Sequence, residues 1–328
     1  MIHNTGTDII IIGAGIAGAG LAAMLDARLK VIILEAEEYP GYHSTGRSAA
    51  VLIQNYGNPV IRQLTRLSRP YLESPPQELS QRSLLHRRGC LFLGTETTCS
   101  DIDELLKQAE GLVEVSIETA LELIPALKQE KILKATYEAS ASDIDVAALH
   151  QGWLAMAKAR GVILQLRQPV SRIEKTGKSW LVTTASEAFS APIIVNASGA
   201  WADTIASMAG IRALGITPKR RTIAVMPAPS TYTINNWPMF GNINNTWYGK
   251  PETGRLLVSP ADEDPVAPQD VHVDDRVLAE GLYRFEQAVN FPVARVERSW
   301  AGLRCFAPDE TPVVGFAPEA EGFFWLAG

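Results

Sequence analysis

A run of consecutive apolar positions stands near the start of the chain. Residues 8–12 read Asp-Ile-Ile-Ile-Ile, and an unbroken branched run of this kind is typical of a strand buried on both faces of a parallel sheet. Residues 19–27 then predict a helix, and residues 30–35 predict a second strand that ends at Glu35. The opening pattern therefore predicts a β-α-β unit.

Between the first strand and the helix lies a G-x-G-x-x-G motif, formed by Gly13, Gly15 and Gly18. Its glycines allow a tight turn, a close approach of backbone to a pyrophosphate and close helix packing. The helix amides would face the phosphates. Glu35 follows by about 20 residues, where an acidic side chain binds a ribose hydroxyl. A glycine-rich packing turn is the alternative, but the strand, the helix and Glu35 together favour a dinucleotide site.

Later patterns predict a mixture of helices and strands. Residues 36–50 are small, polar and rich in glycine, so they form either a segment that runs along a ligand or a surface loop; spacing leaves both open. Short strands after residue 224, separated by Pro, Gly and Asn turns, indicate an antiparallel sheet. Helices are predicted over 54–82, 100–109, 146–160, 203–209 and 271–290, and strands over 91–94, 180–184, 193–196, 224–226, 246–249 and 255–258.

Composition narrows the class of protein. The length of 328 residues suits two domains or one large α/β unit, and a net charge of −6 offers no basic surface for nucleic acid. Three cysteines without a C-x-x-C pair fit a reducing compartment and a cytoplasmic location. The five histidines lack metal-ligand spacing, so we expect no metal. The run over residues 9–25 follows Asp8 and is too short and glycine-rich to predict a membrane span.

Several segments together resemble flavoenzymes of the D-amino-acid-oxidase/glycine-oxidase superfamily, and within it most resemble the bacterial D-arginine dehydrogenases. They are the glycine motif, the strand end at 34–35, and residues 41–50, 143–152, 195–203, 218–221, 237–239 and 300–304. The resemblance covers essentially the whole chain. It implies an α/β Rossmann-type FAD-binding domain over 1–82, 143–216 and 306–328, and an α+β substrate domain with an antiparallel sheet over 83–142 and 217–305.

The resemblance also implies the residues that contact FAD. The turn at 197–200 consists of small residues, which would let backbone approach the cofactor a second time. The implied contacts are Gly13, Gly15, Ile16, Ala17, Gly18, Glu35, Ala36, His43, Ser44, Thr45, Arg47, Ser48, Ala49, Ala50, Val170, Ala197, Ser198, Gly199, Trp201, Gly302 and Arg304.

Two arginines and two tyrosines are the candidate catalytic residues. A guanidinium fork binds a carboxylate bidentately, although residue type alone favours surface positions for Arg221 and Arg304. The resemblance implies that both hold the substrate carboxylate. It also implies that Tyr56 and Tyr248 line the pocket, where the alternative is a half-buried aromatic on a helix or strand.

The chain departs from D-arginine dehydrogenases in the expected substrate pocket. A histidine of those enzymes is replaced by Val51, and by ungapped counting an acidic residue is replaced by Cys90; Met239 also falls in the pocket. The pocket is therefore expected to be apolar and to prefer small or apolar D-amino acids, since a guanidinium buried without a partner is costly. Valine cannot act as a general base, so either a bound water accepts the proton of the substrate amine or the substrate binds with its amine already neutral.

The predicted function is that of an FAD-dependent D-amino-acid dehydrogenase. Hydride passes from Cα to flavin N5, the imino acid hydrolyses to a 2-oxo acid and ammonia, and a quinone or other acceptor takes the electrons. The alternatives are a glycine-oxidase-like amine oxidase, a 2-hydroxyacid dehydrogenase and an inactive FAD-binding scaffold. The scaffold is considered because the family continues past the strand at 323–327 into a glycine-rich turn and a long helix, so FAD retention by this form is an open question.

Overall fold

The computed structural model describes residues 2–3 and 6–328. Its helices are α1 (Ile16–Met24), α2 (Pro59–Glu73), α3 (Cys99–Gln108), α4 (Ile117–Leu123), α5 (Val146–Ala159), α6 (Ala202–Met208) and α7 (Asp275–Ala288). Its strands are β1 (Ile2–His3), β2 (Ile9–Ile12), β3 (Val31–Leu34), β4 (Val51–Leu52), β5 (Leu85–Arg87), β6 (Cys90–Gly94), β7 (Leu112–Val115), β8 (Lys134–Glu138), β9 (Ser142–Ile144), β10 (Ile163–Gln165), β11 (Val170–Thr176), β12 (Ser179–Thr184), β13 (Ala188–Ala191), β14 (Ile193–Asn196), β15 (Thr217–Pro227), β16 (Met239–Asn242), β17 (Tyr248–Glu252), β18 (Arg255–Ser259), β19 (Arg298–Phe306), β20 (Val313–Phe316) and β21 (Phe323–Ala327).

The predicted β-α-β unit forms the centre of the first sheet, whose strand order is β10-β3-β2-β14-β21-β20. Its neighbours pair in parallel except for β20 and β21. Ile9 and Ile11 pack on the side of α1 and α5, whereas Ile10 and Ile12 pack on the opposite side with Trp180 and other residues. The apolar run is thus buried on both faces, as a parallel strand requires.

The second sheet has the order β19-β15-β18-β17-β16-β6-β8-β7 and is antiparallel apart from the β6–β16 pair. One face packs Leu91, Val258 and Phe240 against Phe285 of α7. Side chains alternate along a strand, so the pairing register assigns Cys90, Met239, Tyr248, Arg221 and Arg304 to the other face. Two smaller sheets, β1-β13-β12-β11 and β4-β9-β5, complete the described strands.

Most predicted elements are confirmed, and several differ in extent, among them the helix predicted over 19–27, which is α1, and the strand predicted over 246–249, which is β17. The helix predicted over 54–82 begins only at Pro59, because the Asn58 side chain accepts from Ile61 N at 3.1 Å and caps it. The helix predicted over 271–290 begins at Asp275, capped by Asp274. The strand predicted over 224–226 is the end of β15, which pairs with β19 from Thr217 onwards.

The fold class is confirmed as mixed α/β, with a parallel nucleotide-type sheet and a largely antiparallel second sheet. The first sheet draws its strands from residues 9–34, 163–165, 193–196 and 313–327, and the second from 90–138 and 217–306. The domain boundaries themselves stay a prediction. Within the described residues, no helix has the length and apolar character needed to cross a membrane.

Candidate active site

The glycine turn between β2 and α1 is built for close backbone contact. Gly13 has φ +105°, and a Cβ there would lie 2.5 Å from Ala197 O. A Cβ at Gly18 would lie 2.0 Å from Gly13 O, so this glycine lets the helix approach the turn. At Gly15 the nearest atom to an added Cβ is Thr45 Oγ1, at 3.5 Å. The first and third glycines therefore serve packing, while Gly15 has room for a Cβ, which would only make ordinary contact with Thr45.

Glu35 holds this turn from the end of β3. Its Oε2 accepts from Ala14 N at 2.7 Å, and its Oε1 accepts from Glu37 N at 3.0 Å. The residue is buried, yet its side chain reaches the wall of a large cavity. Because each carboxylate oxygen has two lone pairs, both can still accept from ribose hydroxyls.

His150 of α5 supports the same turn from behind and was not predicted as a site residue. Its Nε2 lies 2.8 Å from Ala14 O, so Nε2 carries the hydrogen, since a carbonyl oxygen only accepts. The imidazole is buried, and its ring is also the nearest neighbour of a Cβ added at Gly41. His150 thus packs between the turn and the segment 36–50.

Residues 36, 37 and 41–45 of the segment 36–50 line the cavity, and the segment is fastened to the second sheet. Arg47 Nη2 is 2.5 Å from Asp270 Oδ1, and Arg47 Nη1 donates to Ala301 O at 3.2 Å. Ser44 Oγ donates to Leu303 O at 2.6 Å. The Arg47 guanidinium holds the pKa of the Asp270 carboxyl below its usual value. The loop therefore clamps the two sheets together over the cavity.

One large cavity of about 1130 Å³ extends from the glycine turn to the second sheet. Its volume lies just above the range of roughly 300–1,000 Å³ that is typical of small-molecule sites. The predicted residues in its wall are Gly13, Gly15, Ile16, Ala17, Glu35, Ala36, His43, Ser44, Thr45, Tyr56, Val170, Ala197, Ser198, Gly199, Trp201 and Arg304.

Arg304 of β19 extends into this cavity beside Tyr56. Arg304 Nη2 donates to Tyr56 Oη at 2.7 Å, and the guanidinium lies over the rings of Tyr56 and Phe306 at 5.6 and 5.1 Å from their centroids. The Arg304 side chain is 33% exposed. Because Tyr56 Oη accepts this bond, its own hydrogen stays free to donate to a ligand.

Arg221 makes a different set of contacts. Its Nε donates to Asp262 O at 3.0 Å, and its Nη2 lies 2.6 Å from Glu263 Oε1. Arg221 is not in the described cavity wall, whereas Glu263 is. The resemblance implied a substrate carboxylate as the partner of Arg221; in the structure a carboxylate of the protein itself occupies that position.

The family model for FAD-dependent oxidoreductases, DAO, matches residues 8–328. The chain belongs to this family. It is 24% identical over 341 residues to glycine oxidase of Geobacillus kaustophilus, covering 98% of this chain and 87% of that protein. It is 26% identical over 264 residues to mitochondrial dimethylglycine dehydrogenase of Rattus norvegicus, covering 77% of this chain and 30% of that protein.

Solved structures share the fold of this DAO-family oxidoreductase. Glycine oxidase from Geobacillus kaustophilus superposes with a TM-score of 0.84 at 24% identity, covering 98% of this chain and 88% of that one. L-Proline dehydrogenase from P. horikoshii superposes with a TM-score of 0.82 at 21% identity, covering 98% and 87%. These likenesses show the architecture, and the finer resemblance to D-arginine dehydrogenases stays a prediction.

FAD is the cofactor of the DAO family, and the cavity has the features that FAD needs. A helix leaves its first amides without partners inside the helix, and here the first residues of α1 and its cap, Gly15, Ile16 and Ala17, line the cavity, with Ile16 N already donating to Thr45 Oγ1 at 3.0 Å. Gly15 offers the close approach to a pyrophosphate, and Glu35 offers acceptors for a ribose.

Other predicted site residues are not brought to the described cavity wall. Gly18 packs against the turn and Arg47 forms the clamp, while Tyr248 and Ala49 pack against the apolar cluster that contains Ile223. For the whole group, contact with cofactor or substrate stays a prediction. The group comprises Gly18, Arg47, Ser48, Ala49, Ala50, Val51, Cys90, Arg221, Met239, Tyr248 and Gly302.

Cys90 is buried opposite an acidic residue that the sequence analysis missed. Glu138, its cross-strand partner on β8, is fully buried and accepts from Gln54 N at 2.7 Å and from Asn55 Nδ2 at 2.7 Å. Burial, and then the nearby Glu138, raise the pKa of the Cys90 thiol well above its usual value. Glu138 thereby fixes the turn that carries Tyr56.

Proposed function

We propose that this DAO-family oxidoreductase is a D-amino-acid dehydrogenase, which oxidises the Cα–N bond of a small or apolar D-amino acid. The imino acid then hydrolyses to a 2-oxo acid and ammonia. When bound, FAD supplies the hydride acceptor. The observation that carries the proposal is the Arg304–Tyr56 pair, which lies in the same cavity as the glycine turn and its first-turn amides.

Arg304 is the group that would bind the substrate carboxylate. Its planar fork presents parallel N–H donors, and one of its nitrogens is already oriented by the bond to Tyr56 Oη. The Tyr56 hydroxyl hydrogen would donate to the same carboxylate. Fixing the carboxylate at two points orients the Cα–H bond, and orientation alone is worth several orders of magnitude in rate.

The substrate side chain would meet apolar surface. Phe92 of β6, Leu105 of α3 and Ile243, which directly follows β16, belong to the cavity wall. Such a wall favours apolar groups, in line with the small or apolar D-amino acids expected from Val51 and Cys90. His43 also lies in the wall but pairs with Glu37 at 2.9 Å, so the amine would bind already neutral or lose its proton to water.

Two related reactions use the same arrangement. A glycine-oxidase-like amine oxidase is favoured by the similarity to the Geobacillus kaustophilus protein, and it would pass electrons to oxygen instead of a quinone. A 2-hydroxyacid dehydrogenase would need the same carboxylate anchor. We also propose a cytoplasmic location, supported by three free cysteines, with peripheral contact to a membrane where a quinone is the acceptor.

An anaerobic substrate panel tests the proposal. The FAD-loaded protein is mixed without oxygen with D-alanine, D-proline, glycine, sarcosine, D-arginine and D-lactate, and the flavin absorbance is followed. We expect bleaching by a small D-amino acid and none by D-lactate. Bleaching by lactate alone would replace the proposal with the hydroxyacid reaction, and stable flavin that no compound bleaches would leave an FAD-binding scaffold. Oxygen uptake during turnover would favour the oxidase.

A further inference from the structure

Glu263 places a negative charge at the substrate end of the cavity. Its Oε1 lies 2.6 Å from Arg221 Nη2 and 3.7 Å from Arg304 Nη1, and its Oε2 lies 3.5 Å from Lys219 Nζ. Because Oε1 contacts both guanidinium groups, the Glu263 carboxylate lies between Arg221 and Arg304. Three cations therefore surround Glu263, and of these Arg304 belongs to the described cavity wall together with Glu263.

The loop that carries Glu263 is fastened on both sides of that residue. Asp262 is buried and accepts from Thr222 N at 2.6 Å and from Thr222 Oγ1 at 2.8 Å. Asp264 pairs with Arg220 Nη2 at 3.0 Å, and Arg220 N donates to Asp264 O at 2.9 Å. With both neighbours bonded to β15, Glu263 has a defined position in the wall.

We propose that Glu263 determines the charge of the substrate that the site accepts, an inference that rests on the proposed function. By binding Arg221, Glu263 leaves Arg304 as the anchor for one carboxylate. A substrate with a second carboxylate would bring that group towards Arg221, where it meets Glu263 instead. Because Glu263 already takes the Arg221 Nη2 donor, the second carboxylate would be buried without that partner and beside a like charge, so dicarboxylates are disfavoured relative to monocarboxylates.

The charges around Glu263 explain why removing its carboxylate should favour dicarboxylates. With Glu263 in place, Arg221 is neutralised and Lys219 is partly so, while Lys219 also lies 4.7 Å from the centre of the Phe306 ring. Removing the Glu263 charge frees Arg221 Nη2 beside Arg304. The site would then present two adjacent guanidinium groups, an arrangement that suits two carboxylates.

Propionate and succinate form a matched pair of probes, because they differ by one carboxylate and neither carries an amine to oxidise. Their binding to the FAD-loaded protein is measured by titration calorimetry for the wild type, Glu263→Gln, Glu263→Asp and the control Glu319→Gln. Glu319 is an exposed residue outside the cavity wall, so its variant removes one charge elsewhere.

We expect the wild type, Glu319→Gln and Glu263→Asp to prefer propionate. In Glu263→Gln the ratio of affinities should shift by about tenfold towards succinate. Adding Arg221→Met to Glu263→Gln should abolish the shift. An unchanged ratio in Glu263→Gln, a shift that survives loss of Arg221, or no carboxylate binding by any of the proteins would overturn the proposal. None of these titrations requires turnover, so they test the role of Glu263 even if no compound of the amino-acid panel bleaches the flavin.

Discussion

Replacing Gly15 by alanine should separate cofactor binding from folding. Gly15 has φ −71° and ψ −175°, a conformation that alanine adopts without strain, and the nearest atom to the new Cβ is 3.5 Å away. A Gly→Ala change at a compatible position stabilises a protein by roughly 0.4–1 kcal/mol through the unfolded chain. The new methyl group would project towards the cavity where the pyrophosphate is expected. We predict that Gly15→Ala keeps or gains stability and binds FAD about 100-fold more weakly, ~2.7 kcal/mol.

Gly18→Ala is the contrasting variant. Its Cβ would lie 2.0 Å from Gly13 O and 3.2 Å from Ile11 Cγ2, so α1 must move away from the turn. Overpacking of this kind costs about 1–3 kcal/mol. This variant should therefore lose stability as apoprotein, as well as affinity for FAD.

Two measurements on the apoproteins distinguish the variants. Urea unfolding gives the free energy of unfolding, and titration of FAD into each protein gives the dissociation constant. The reasoning is refuted if Gly15→Ala binds FAD as tightly as the wild type. It is also refuted if the midpoint of urea unfolding is the same for Gly18→Ala as for the wild type. Equal loss of stability in both variants would also refute it.

Three further predictions concern single residues. Glu138→Gln replaces two acceptor oxygens by one and leaves a buried donor of the 54–56 turn unpaired, so urea unfolding should show a loss of about 1–3 kcal/mol. Burial raises the pKa of the Cys305 thiol to about 11, so its alkylation, followed by mass spectrometry, should be slow at pH 8 and accelerate up to pH 11; a fast reaction at pH 8 contradicts this. Arg47 lowers the pKa of Asp270, so the pair stabilises the fold above the usual aspartate pKa of 3.8, and this stabilisation is lost as the pH falls below that value. Asp270→Asn should therefore weaken the acid dependence of the melting temperature. A melting temperature that falls with acid as in the wild type would contradict the pairing.

The nucleotide half of the molecule could be predicted because its signals are local. The apolar run before Gly13, the glycine spacing and the acid at Glu35 fall within about 30 consecutive residues, as expected for a βαβ motif. The resemblance extended the prediction to residues 41–50, of which 41–45 line the cavity. Neither source predicted His150, since its contact with Ala14 depends on how α5 packs against the turn.

The substrate half depends on pairs that are distant in sequence. Residues 219–221 read Lys-Arg-Arg and residues 262–264 read Asp-Glu-Asp, and this complementary charge pattern was the available signal for their contact. Without the register of β15, the basic triplet could not be distinguished from a solvated cluster. Glu138 is similar: it is buried opposite Cys90 and accepts hydrogen bonds from Gln54 and Asn55, more than 80 residues away, which the sequence around Glu138 does not reveal.

The reductive half-reaction of Arg304→Met tests the central claim most directly. Arg304 bonds Tyr56 in the cavity wall, and the resemblance also implies that it contacts FAD, so the FAD dissociation constant of the variant is measured first and the kinetics are run with the protein saturated with FAD. With the D-amino acid that bleaches the wild type, rapid mixing without oxygen should show the half-saturating concentration rise by about 100-fold, the loss expected for a charged carboxylate contact. Bleaching with wild-type concentration dependence, in a variant saturated with FAD, would contradict the account.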